Sequence, residues 1–62
     1  MTTKQAQGML MFHQKAARAY EAVLARDKLP KKERQRCEEN LQSARMRAAE
    51  CQAILQVARM TA

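Results

Sequence analysis

A single proline stands almost at the midpoint of this 62-residue chain, and it constrains the fold more than any other residue. Pro30 pushes the residue before it out of the α region, while proline itself suits a first helical turn. The residues on both sides are dominated by alanine, methionine, glutamine, glutamate, lysine and arginine, all of which favour helix. Gly8 is the only glycine. The pattern predicts one domain over residues 1–62, with a helix over 3–26, a turn at Asp27-Lys28-Leu29 and a helix over 30–59. Thr2 or Thr3 is the expected N-cap of the first helix. Glu33 falls in the first turn of the second helix, where a negative charge complements the helix dipole. At 1.5 Å per residue the helices are roughly 36 and 45 Å long, and so short a turn makes them antiparallel neighbours. The expected fold class is therefore all-α, an antiparallel two-helix hairpin.

Apolar spacing assigns faces. On the first helix Met9, Phe12, Ala16, Ala19 and Val23 recur at three-four steps, with Tyr20 and Leu24 beside them. On the second, Cys37, Leu41, Ala44, Ala48, Cys51, Leu55 and Ala58 do so without a gap. These two stripes are expected to face each other, with Phe12 and Tyr20 in or near the core and His13 packed at the margin. The second helix carries another row, Met46, Ala49, Ala53, Val57 and Met60, on the side away from the Cys37–Leu55 stripe, with Ile54 between the two. A helix that is apolar nearly all round is expected to be buried, and one hairpin partner cannot cover both sides. The row reads either as alanine-rich surface or as an interface, and methionine suits an interface because it adapts its packing.

A chain this short needs a staple, a metal or a second copy, because a single small core stabilises it little. Cys37 and Cys51 stand on one stripe about 21 Å apart, beyond disulfide reach, and read as small buried hydrophobes. One histidine and two cysteines make no tetrahedral metal set. No metal, cofactor or small-molecule substrate is expected, and no nucleophile is placed beside His13 to suggest catalysis. Self-association of the hairpin into a dimeric four-helix bundle is the remaining solution. The chain has no apolar run of membrane-spanning length and no apolar signal core, so a cytoplasmic location without membrane contact is expected.

The charge is uneven. Twelve lysines and arginines against six acidic residues give a net charge of +6. Arg26, Lys28, Lys31, Lys32, Arg34 and Arg36 cluster around the turn, Arg45 and Arg47 extend positive charge along the second helix, and Lys4, Lys15 and Arg18 line the outer face of the first. Such patches serve nucleic acid, an acidic surface or an acidic protein, or are solvated helix surface.

The opening Met1-Thr2 with Lys4-Gln5, Leu29 at the turn, and Cys37, Ala44 and Cys51 on the second helix give a layout that resembles the Rop family, plasmid-encoded RNA-binding regulators of copy number. That resemblance implies a hairpin paired into an antiparallel four-helix bundle. It departs from the family in charge, since Rop proteins are acidic. It departs again at the RNA face, where an asparagine, a phenylalanine, a glutamine and a lysine of the family correspond in register to Leu10, Gln14, Arg18 and Ala25. The plan is also similar to that of small chaperones of type III secretion needles and of phage-encoded hairpins that disable bacterial regulators.

The expected function is a small, non-enzymatic regulator that binds a larger protein and modulates its activity, with inhibition the favoured direction. Its expected contact residues are Met46, Ala49, Ala53, Val57 and Met60, with Arg34, Arg36 and Arg47 as charged partners. The alternatives are a regulator of RNA or DNA, holding phosphates through Lys15, Arg18, Arg26, Lys28, Lys31 and Lys32, and an assembly chaperone that shields a partner's helix.

Overall fold

The computed structural model describes residues 2–26 and 28–61, so Asp27 of the expected turn and Met1 of the resemblance lie outside the described residues. Two helices form, α1 over Thr3–Leu24 and α2 over Lys31–Thr61. They pack side by side in a rod of 48 × 14 × 13 Å, close to the length expected of the 31-residue α2 alone.

Local chemistry sets the helix ends. Thr2 is the N-cap of α1 and closes a capping box with Gln5. The Gln5 amide donates to the Thr2 hydroxyl at 3.2 Å, and the Thr2 amide donates to Gln5 Oε1 at 3.0 Å. At the other end α1 stops at Leu24, two residues short of the expected Arg26. The Ala25 and Arg26 amides fold back onto the carbonyls of Glu21 and Val23 at 3.1 and 3.2 Å. Pro30 precedes α2 rather than opening it, and its carbonyl accepts the first helical bond, from the Arg34 amide at 2.9 Å. Glu33 lies in the first turn as expected. Beyond the expected end at Arg59, α2 continues to Thr61, whose hydroxyl donates to the carbonyls of Val57 and Ala58.

The buried side of α2 is the one the spacing predicts. Leu41, Ala44 and Cys51 are buried, and Cys37, Ala48, Leu55 and Ala58 are half-buried along the same line. On α1 the expected face is corrected. The row turned inward is Ala6, Leu10, His13, Ala17, Tyr20 and Leu24; of the expected Met9, Phe12, Ala16, Ala19 and Val23, Ala16 and Val23 are half-buried at its edge and the other three are exposed. Phe12 is 65 % exposed and Met9 41 %, whereas His13 is buried at 6 %. The two α1 rows have the same spacing and are one residue out of phase, about 100° around the helix. The inward row places alanines against the alanine-rich stripe of α2, so the backbones approach closely. Ala17, Leu41 and Ala44 form the centre, with Ala16, Tyr20 and Leu24 packed against it. Bulky Met9 and Phe12 would hold the helices apart.

This packing predicts a sharp contrast between core and surface. Leu41→Ala is expected to lower unfolding free energy by about 2–3 kcal/mol in urea titrations followed by circular dichroism. Met11→Ala, at a site 71 % exposed, is expected to change it by less than about 0.5 kcal/mol.

Candidate interaction surfaces

The second apolar row of α2 stands in solvent. Met46, Val57 and Met60 are 58, 59 and 85 % exposed, and Ala49 and Ala53 are exposed between them. Their spacing sets them opposite the stripe that α1 covers, since both rows follow the same three-four steps half a turn apart. Met46 also borders a shallow depression with Glu38, Leu41, Gln42 and Arg45. Arg36 and Arg47 are exposed on α2, and at 100° per residue they fall beside Ile54, on the flank between the two rows and not at the edge of this one.

Arg34 is placed differently from its expected role. It is half-buried, and its guanidinium reaches back across the connection to α1. Nη1 donates to the Leu24 carbonyl and Nη2 to the Arg26 carbonyl, each at 3.3 Å. The last turn of α1 holds no basic residue of its own. Arg34 therefore supplies from the second helix both the donors and the positive charge that a helix C-terminus favours. The link between the helices is thus tied by a side chain as well as by the backbone.

The other tip cations, Arg26, Lys28, Lys31 and Lys32, are exposed at one end of the rod. Lys31 and Lys32 occupy the first turn of α2, where positive charge opposes the dipole. Their presence there does not help the helix form. Lys15 and Arg18 lie on the outer side of α1, where they line a shallow depression with Gly8, Met11, Phe12 and Gln14. The Phe12 ring stands edge-on to His13, with centroids 5.3 Å apart.

One flank of the hairpin is polar. Glu21 and Arg45 meet at 2.8 Å across it, both side chains at least half exposed, an arrangement that contributes little to stability. Gln14, Arg18, Ala49 and Gln52 line the same side. Cys37 and Cys51 carry free thiols. Among the described residues no group of three His, Cys, Asp or Glu side chains gathers to hold a metal, and no helix is long and apolar enough to cross a membrane.

Comparison of the chain with protein-family models, curated proteins and solved structures finds no match in any of the three. The two-helix hairpin is compatible with the Rop-like layout at a coarse level.

The bridging role of Arg34 predicts that Arg34→Ala destabilises the hairpin by about 1 kcal/mol. Arg36→Ala, two residues away and exposed, should leave the thermal and urea transitions nearly unchanged.

Proposed function

We propose that the hairpin pairs with a second copy into a four-helix bundle and works as a non-enzymatic regulator that binds a larger protein and inhibits it. The observation that carries this reading is the exposed apolar row of α2, Met46, Ala49, Ala53, Val57 and Met60. Contiguous apolar surface of this kind marks interaction sites in soluble proteins. Methionine at both ends gives a surface able to adapt to its target.

A pull-down from host lysate, with and without nuclease, tests the reading. The wild-type hairpin is expected to capture a protein that survives nuclease treatment. The double variant Met46→Glu, Val57→Glu is expected to lose it while keeping its helix content. Capture unaffected by the double variant would contradict the reading.

A second reading, nucleic-acid binding, gains support from the position of Phe12. An exposed ring beside Lys15 and Arg18 joins a stacking surface to phosphate-binding cations. Lys31 and Lys32, set against the α2 dipole, point the same way. This reading predicts that labelled single-stranded RNA or DNA binds at low salt and is released steeply as salt rises. Absence of binding at low salt would remove it.

A further inference from the structure

The outward face of α2 has a charge pattern of its own. The chain carries +6, yet three of its six acidic residues border the Met46–Met60 row. At 100° per residue Glu39 and Glu50 fall along one edge of the row and Glu38 along the other. All three are exposed, and none takes part in an ion pair among the described residues. Glu39 accepts one long bond, from the Gln35 side-chain amide at 3.5 Å. Glu38 shares a depression with Met46. Arg45 also lines that depression, but its guanidinium is turned to Glu21 at 2.8 Å. The other cations of α2 stand elsewhere. Arg36 and Arg47 fall beside Ile54, Arg59 borders Leu10 and Leu55, and Lys31 and Lys32 are at the tip, about 20 Å before Met46. From Gln35 to Met60 this is an apolar face with an acidic rim on a strongly basic molecule.

Shape and charge together say what fits this face. The row is a single line about 21 Å long on one straight helix. Ala49 and Ala53 leave room between Met46 and Val57 for a helix backbone to come near, as the core alanines do for α1. An apolar helix row of this kind is engaged by the apolar face of another helix. A second copy paired through the same row brings carboxylates and no cation to it, so Glu38, Glu39 and Glu50 gain no partner. A helix flanked by lysine or arginine pairs with all three. At 0.15 M salt charges act over about 8 Å. The cations at the tip and on the far side of α1 therefore do not cancel this local preference.

We infer that the target presents a basic amphipathic helix to the Met46–Met60 row, its apolar side flanked by lysines or arginines. This rests on the reading of that row as a protein-binding site and adds the chemistry of what it binds. Glu39 and Glu50 on one side and Glu38 on the other set the position of the incoming helix and select against acidic competitors. Complementary rim charges act in this way more than through gross affinity.

Two model peptides of about 20 residues, long enough to span the row, test the inference. They share one row of leucine and alanine at three-four steps, flanked by lysines in one peptide and by glutamates in the other. Binding to the full chain is followed by fluorescence anisotropy at physiological salt. The lysine-flanked peptide is expected to bind at least about tenfold more tightly, the reverse of the order that a net charge of +6 favours. Glu39→Lys, Glu50→Lys is expected to remove that preference, and Met46→Ser, Val57→Ser to lose the lysine-flanked peptide. All four positions are exposed, and the comparison of the two peptides on the wild-type chain needs no variant to fold. Suppose the glutamate-flanked peptide binds as tightly or more so, and Met46→Ser, Val57→Ser releases it. The basic helix is then overturned while the row remains a protein-binding site. Failure of both peptides to bind the row at high micromolar concentration would overturn the inference and count against that reading too. A native dimer that Met46→Ser, Val57→Ser turns into a monomer in sedimentation equilibrium would give the face to a second copy and likewise overturn the inference.

Discussion

Everything in this hairpin depends on the close approach of two alanine-rich helix faces. The α2 stripe from Cys37 to Ala58 and the α1 row from Ala6 to Leu24 share a three-four step, so they remain in contact along most of the rod. Small side chains at Ala6, Ala17 and Ala44 let the backbones come near. The bulk of the burial is then left to Leu41, Leu10, Leu24 and Leu55, with Tyr20 and His13 filling the margins. Arg34 completes the arrangement at the tip, because its two bonds to α1 carbonyls hold the connection where the alanine contacts need it. Thr2 and Gln5 do the equivalent work at the start of α1.

The same closeness limits what the hairpin can bury. Alanines remove little apolar area from water, and hydrophobic stabilisation scales with that area. Larger side chains that would normally fill a core, Met9, Phe12, Met46, Ile54, Val57 and Met60, remain at least a third exposed. They fall on two separate surfaces, a flank continuous with the core and a face of α2 turned fully away from it. The first is where the buried layer would grow if another hairpin were added. The second has no geometric connection to the core, which makes it the better candidate for a foreign partner.

The legible parts of the sequence were those where a single pattern dominates. Pro30 marks the break because proline disfavours helix in the residue before it, and the seven-position stripe of α2 has no competitor of equal length on its own side. The face of α1 was harder to read, because two rows with equal spacing lie side by side. Periodicity measures an angle between residues and does not say which of two neighbouring rows meets the partner helix. The more apolar row draws the eye, since the inward one contains His13. Steric fit decides in favour of the alanines, and that depends on the opposing stripe. Arg34 looks like a binding residue in sequence, because its bonds to α1 depend on how the connection bends, which side-chain type alone does not reveal. The candidate contacts of α2 were legible as a row and their exposure follows directly, whereas the identity of what binds them is not written in their spacing.

The central claim is that the two-helix unit is thermodynamically incomplete and gains stability from a second copy. Urea unfolding followed by circular dichroism, at protein concentrations about 100-fold apart, measures this most directly, because coupling between folding and association makes the midpoint concentration-dependent. The account predicts a midpoint that rises with concentration. Superimposable transitions at both concentrations, with the native chain sedimenting as a monomer throughout, would contradict it.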